Sequence, residues 1–334
     1  MNSQLNRRAF LDRSVSSVAG LGALAPRSLA SRQERKTAVV ATKVVLVKTS
    51  DRKKGVAEVL RLLDVPSPKG RDVLIKPNFN TADPAPGSTH NDTLRQLILE
   101  LKKRGAGGIT IGESSGPPPT RRIMEEKGIF DLAKELGVSV INFEDLSDAD
   151  WVHMNPAGNH WQNGFYIPKP VADAGYIVST CCLKTHQFGG VLSMSLKLAV
   201  GIAPKKLRRE LHGNREHMRR MIAEINLGYQ PRFIVMDGVE AFVDGGPSSG
   251  KRVAADVLVG GTDRVAVDAV GVAILKELGS NAAIMDRKIF EQEQIQRAVE
   301  LGLGISRPEH IELAAADQAS RAYAAKIKAL LAEG

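Results

Sequence analysis

Cysteine is almost missing from this chain of 334 residues: there are two, Cys181 and Cys182, and they are neighbours. Adjacent cysteines cannot tie distant segments together, and a bond between them would close a strained small ring, so buried thiols are expected. Two thiols also fall short of an iron–sulfur cluster or a thiolate zinc site, so no cluster is expected and the sequence specifies no other cofactor. Aromatic residues are only 4% of the chain, which leaves little material for stacking platforms on single-stranded nucleic acid. No window reaches the roughly 18 uninterrupted apolar residues of a membrane-spanning helix. What is present is ordinary. The hydrophobic share of 43% and charged share of 25% are globular proportions and exclude a disordered or collagen-like chain. The length allows one large domain or two modest ones, with ample apolar core in either case.

Lys and Arg number 46 against 37 Asp and Glu, a formal charge of +9. The excess is dispersed. Its densest runs, Lys102–Arg104, Lys205-Lys206 with Arg208-Arg209, and Arg219-Arg220, fall on or beside predicted helices, where charge runs usually face solvent. Nucleic acid is therefore not an expected partner.

The first thirty residues have the organisation of an address. Arg7-Arg8 stand in the string NRRAFLD, a mildly apolar Ala-, Gly- and Ser-rich run covers Ser14–Ala25, and Ser28-Leu29-Ala30 offers a small-x-small cleavage site. Such a run has the length of a signal h-region and is too short to cross a bilayer. The arginine pair and weak h-region resemble a twin-arginine (Tat) export signal, although Asn6 and Asp12 depart from the usual flanking residues. The resemblance implies passage through the Tat translocase in the folded state and an exported, periplasmic or extracytoplasmic destination. No stable membrane insertion is expected once the signal is removed. Cleavage after residue 30 takes four arginines and one aspartate, leaving +6. Residues 31–37 read as a linker and 38–334 as the folded part.

Along that part, β-branched apolar runs alternate with helical patterns. Strands are predicted at Val39–Val47, Asp72–Lys76, Gly108–Ile111, Val138–Phe143, Tyr176–Cys181, Phe233–Met236 and Ala255–Val259. Helices are predicted at Val56–Leu63, from an Asp92 cap through Lys103, and at Ile129–Leu136. Further helices fall at Arg264–Leu278, which is apolar on most sides, and around Phe290–Leu301 and Gln318–Leu331. The irregular stretch from Asp150 to Val171 suggests a hairpin or covering loop. This rhythm predicts an α/β fold, a mostly parallel sheet with helices on both faces, in a single large domain.

In such sheets, ligands sit outside the carboxyl ends of the strands, so polar residues just past predicted strands are informative. The first group is Lys76-Pro77-Asn78-Phe79-Asn80, where a lysine and two amides suit a carboxylate or phosphate. Thr81–His90 beyond it reads as a mobile loop. Glu113, in Gly112-Glu113-Ser114, is either a base or metal ligand at a strand end, or part of turn chemistry. Lys184 and His186 are two apart, so an extended backbone points both to one face, and a neighbouring cation suits an imidazole to act as a neutral base. Ser193, Ser195 and Lys197 follow in an apolar segment read as a helix ending near Gly201; a lysine there needs a partner or a ligand. The spacings of His153, His160, His212 and His217 demand no metal, which leaves metal content open. Asp237-Gly238 and the Asp244–Gly250 loop lack a phosphate-loop ending and read as a hairpin-like connection.

In order, Lys76-Pro77-Asn78, Gly112-Glu113-Ser114, Lys184-Thr185-His186, Leu196-Lys197-Leu198, His212, Asp237-Gly238, Gly246–Gly250 and Asp263 through Asp268-Ala269 resemble the domain-of-unknown-function family numbered 362. The likeness spans about residues 70–275. Leu198 stands where that family usually has Asn, and the cysteines of its iron–sulfur-bearing members are missing. The resemblance implies a common core and pocket without a stated reaction.

Together these readings converge Lys76, Asn78, Asn80, Lys184, His186, Lys197 and His212 on an anionic small molecule. His186 would be the acid/base, Lys184 and Lys76 the anion anchors, and Glu113 or Asp237 the second carboxylate or metal ligand. The rivals are a non-catalytic periplasmic binding or interaction protein, and a metal-dependent enzyme loaded before export.

Overall fold

The computed structural model describes residues 41–333. The export signal and linker read in residues 1–37 lie outside the described residues. Strand β1 (Thr42–Lys48) leads into helix α1 (Arg52–Leu62), then β2 (Val73–Lys76), α2 (Asn91–Lys103) and β3 (Ile109–Glu113). Helices α3 (Thr120–Glu126) and α4 (Ile129–Leu136) precede β4 (Ser139–Asn142) and a hairpin of β5 (Trp151–Met154) and β6 (Phe165–Pro168). After α5 (Lys169–Ala172) come the long β7 (Ile177–His186), the two-residue β8 (Val191–Leu192), α6 (Lys205–Gly213) and α7 (Met218–Ile225). The chain returns through β9 (Pro231–Gly245) and β10 (Gly250–Gly261) to α8 (Arg264–Glu277), α9 (Ala282–Met285), α10 (Glu293–Glu300), β11 (Ile311–Ala314) and α11 (Gln318–Ala332).

The main sheet runs β11-β1-β10-β9-β7-β2-β3-β4, with β8 antiparallel on β7. From β9 to β4 every neighbour is parallel; β10 alone runs against both its neighbours, β1 and β9. The fold is thus a mostly parallel α/β sheet. Strand alternation decides the two faces. Val45, Val47, Ile75, Ile111, Val178 and Val235 face α1, α2 and α4. Val44, Leu46, Cys181, Leu183, Met236 and Val259 face α8, α10 and α11, while Leu74 and Ile177 meet the β5–β6 hairpin and α7. Helices therefore cover both faces, and α8 is buried from Arg264 through Leu275.

Two local expectations are corrected. His90 caps α2, not Asp92: its Nδ1 accepts the Asp92 N–H at 3.1 Å. The Thr81–His90 stretch is a packed wall, with Ala85 through Thr89 buried. The Thr89 N–H donates to the Asn78 carbonyl at 2.8 Å, and Lys184 Nζ donates to the Gly87 carbonyl at 2.6 Å. These bonds satisfy polar groups that polarity alone assigned to solvent. Among the described residues, no helix is long and apolar enough to cross a membrane.

Candidate functional site

Because β2, β3, β7 and β9 run parallel, their carboxyl ends meet at one edge of the sheet. There the loops after them enclose a cavity of about 650 Å³. Its walls include Lys76, Asn78 and Asn80 after β2, Glu113 at the end of β3, and His186 at the end of β7, together with Lys197 and His212. The β9–β10 turn adds Pro247 and Ser248. Seven of the nine residues singled out from the sequence are thus brought together.

Lys184 and Asp237 are not among the lining residues. Lys184 Nζ lies behind the β9–β10 turn, donating to the carbonyls of Gly87 at 2.6 Å and Pro247 at 3.0 Å. Burial lowers its pKa to about 8, against the opposing influence of Cys182, Cys181 and Asp83. Its role is to pin two loops together, not to meet a ligand. Asp237 is engaged on the opposite face of the sheet, accepting from Arg52 Nε at 2.8 Å and from the Thr93 hydroxyl at 2.6 Å. It ties α1 and α2 to β9.

The Lys76–Glu113 pair is closed. Nζ of Lys76 stands 2.6 Å from Glu113 Oε1. The Ser114 N–H donates to that same oxygen and the Phe79 N–H to Oε2, each at 2.8 Å. Both side chains are buried, and burial pushes each toward its neutral form: Glu113 upward and Lys76 downward. The ion pair opposes that push in both. A Cβ on Gly201 would fall 2.5 Å from Glu113 Oε1 and 2.6 Å from Lys76 Nζ, so glycine is required where this backbone crosses the pair. The carboxylate thus clamps the segment after β2 to the end of β3, with both oxygens engaged.

His186 is held differently from the expectation as well. The Gly190 N–H donates to its Nδ1 at 3.2 Å, which assigns the neutral ring its proton at Nε2. Burial, followed by the charges of Lys197 and His212, drives its pKa far down. The imidazole is therefore a neutral hydrogen-bond donor through Nε2, which has no partner among the described residues, and not a base at that atom. Gly190 is itself fixed: Gln294 Nε2 donates to the carbonyls of both Gly190 and Leu192. Between these two residues Val191 adopts φ 66°, a conformation costly for a β-branched side chain.

Lys197 opens a short 3₁₀ helix, Lys197–Ile202, shorter than the helix expected from the sequence. The backbone before it is anchored by buried Asp268 of α8, which accepts the N–H groups of Ser195 at 2.7 Å and Leu196 at 2.9 Å. Among the described residues, the Lys197 ammonium has no hydrogen-bond or ion-pair partner. Met194, Leu198 and Val200 line the cavity around it. Burial, reinforced by Lys184 and Arg208, lowers its pKa to about 7.

The residues that the sequence reading missed, Lys205 and Arg208, come from α6, the helix that also carries the expected His212. Lys205, Arg208 and His212 are spaced i, i+3, i+7, which is one helical face, and that face lines the cavity while Lys206 and Arg209 are exposed. Lys205 is paired with Glu144. Arg208 donates to the carbonyl of Ser115, to that of Ser114 at 2.7 Å and to the Ser114 hydroxyl at 2.8 Å. Its charge therefore meets neutral oxygens only. His212 sits at the exposed rim, its pKa lowered by partial burial and by Lys197 and Arg208. Phe188, 59% exposed, stands at the mouth with its ring centroid 5.9 Å from that of His186. Among the described residues, no group of three or more His, Cys, Asp or Glu could hold a metal ion.

Fold and site together define an α/β protein with a cation-lined cavity at the carboxyl edge of its parallel strands. The family described as Domain of unknown function (DUF362) matches residues 73–273, more than half of the chain, and the chain belongs to that family. Among curated proteins, the thylakoid-associated protein sll1697 of Synechocystis is 23% identical over 215 residues. That alignment covers 62% of this chain and 64% of the relative, so the chain spans somewhat less than two thirds of that protein's length. Among solved structures, the lactate racemase apoprotein from Thermoanaerobacterium thermosaccharolyticum is 14% identical with a TM-score of 0.44, covering 86% of both chains.

Proposed function

We propose that the cavity binds a small anionic molecule, and that the chain reaches an extracytoplasmic compartment through the twin-arginine route before working there. One observation carries the first reading: the charge facing the cavity is one-sided. Glu113 is the one carboxylate among the described lining residues, and Lys76 already holds it. Lys197 has no counter-charge, and Arg208 spends its donors on carbonyls and a hydroxyl. A partly buried ammonium without a partner, as at Lys197, is costly unless a ligand completes it. His186 adds a neutral donor through Nε2 and His212 an exposed ring at the rim. A carboxylate or phosphate ester is the ligand class that satisfies this set.

The arrangement favours recognition over proton transfer by the residues named from the sequence. A general base needs a free lone pair within reach of its substrate; the lone pair at His186 Nδ1 is taken by Gly190, and both Glu113 oxygens already accept N–H donors beside the Lys76 ammonium. Native mass spectrometry of the exported chain tests the reading. A retained small anion that is released as pH rises above the range where Lys197 loses its proton is expected, and a protein that keeps no anion and binds neither small carboxylates nor phosphates overturns it. The export reading rests on Arg7-Arg8 and the h-region that follows them.

A further inference from the structure

We propose that Lys197 is a nucleophilic amine that condenses with the carbonyl of a 2-oxo acid bound in the cavity, with the acid's carboxylate facing the cationic side of α6. This inference rests on the anion-binding reading and names its substrate class. Three observations carry it. Lys197 is the cavity's unpartnered amine, held on a backbone that Asp268 fixes through two hydrogen bonds. Met194, Leu198 and Val200 make the surrounding wall apolar, and a desolvated lysine near other cations is a lysine kept partly neutral and nucleophilic. Gly190 leaves the space that brings Lys197 beside His186: a Cβ there would fall 2.8 Å from His186 Nδ1 and 3.1 Å from Lys197 Cε.

That proximity supplies the second requirement of carbonyl chemistry. The Nε2–H of neutral His186 is a donor to a carbonyl oxygen, and donation polarises the carbon toward attack. The lone pair of Lys197 Nζ forms the C–N bond as the carbonyl π pair moves to oxygen, and a proton passes from nitrogen to that oxygen. The resulting carbinolamine loses water: the C–O bond breaks, the nitrogen lone pair forms C=N, and the second amine proton leaves with the hydroxyl as water. No oxidant or reductant is needed. The guanidinium charge of Arg208, whose donors stay on Ser114 and Ser115, and the His212 ring one turn on face the carboxylate from the same side of α6, and the 2-oxo acid places its carboxylate one bond from the reacting carbon.

Pyruvate is the probe, lactate its carbonyl-free control, and sodium borohydride the trap, since hydride reduces an imine to a stable secondary amine. The full chain is incubated with pyruvate and borohydride, digested, and mapped by mass spectrometry. The expected result is a reduced pyruvate adduct on the peptide carrying Lys197, faster as pH rises through the range where that amine loses its proton, and absent with lactate. Lys197→Arg, which keeps a cation but no nucleophile, is expected to lose the adduct completely. Calorimetric binding of lactate and pyruvate without any trapped adduct on Lys197 overturns the covalent step while leaving the anion pocket standing. Adducts spread over exposed lysines, with Lys197 unlabelled, also overturn it. Failure of either acid to bind removes both this inference and the carboxylate form of the reading beneath it.

Discussion

Lys197 and Asp268 are both placed in environments that oppose their charged forms, and they bias stability across different pH windows. The folded-state pKa of Lys197 is lowered from 10.5 to about 7. Between those values the unfolded chain binds the proton that the folded chain rejects, so ligand-free stability rises with pH across the window. Lys197→Met is therefore predicted to exceed the parent in urea midpoint near neutral pH, with the gap closing as pH approaches about 10. A gap independent of pH would contradict the placement of the amine. Asp268 behaves oppositely: burial raises its pKa from 3.8 to about 7, so its contribution favours folding below pH 3.8 and is lost as pH rises through about 7. Glu113 illustrates the cost of a half-broken pair. Glu113→Gln leaves the Lys76 ammonium buried without its carboxylate and is predicted to cost about 3–5 kcal/mol in chemical denaturation.

The segment Ser193–Ala203, between β8 and α6, joins these residues into a site. Its start hangs from Asp268 of α8 and its end presses Gly201 onto the Lys76–Glu113 pair. Asp268→Asn removes one of two backbone acceptors, a loss predicted at about 1–3 kcal/mol. Weakened anion binding should accompany it, and rescue of stability by a stabilising co-solvent without rescue of affinity would mark the positioning role. Gly201→Ala should destabilise by about 1–3 kcal/mol through overpacking against side chains that cannot yield. The parallel strands and α8 were legible in the sequence because β-branched runs and continuous apolarity depend on local pattern alone. The long β7 was under-read at Cys181 because polar Lys184 and His186 break the apolar run; in the structure Lys184 is met by carbonyls from distant segments and His186 by the nearby Gly190 amide. Strand-end position found Lys76, Asn78, Asn80, Glu113 and His186, and a lone lysine in an apolar segment found Lys197. It could not find which partners saturate them, since Gly190, Gly201 and Gln294 act through backbone contacts that leave no charge pattern. The cavity face of α6 was written in the i, i+3, i+7 spacing of Lys205, Arg208 and His212, but a run of alternating cations reads equally as a solvated surface.

Over the molecule as a whole, two claims are separable. Residues 1–30 concern where the chain works: replacing Arg7 and Arg8 by Lys is predicted to leave the protein, uncleaved, in the cytoplasmic fraction, and unchanged export would contradict the twin-arginine assignment. The α/β sheet concerns what the chain can hold. Four parallel strands deliver their carboxyl ends to one edge, and the loops they carry build a cavity whose only described carboxylate is already paired. The central claim, an anion site completed by Lys197, is tested most directly by isothermal titration calorimetry of the full chain with small carboxylates and phosphates, run in parallel on Lys197→Met. The account predicts saturable binding by the parent that the substitution weakens at least about tenfold, the worth of a single charge-assisted hydrogen bond. Equal affinities in the two proteins, or no binding by the parent across the series, would contradict it.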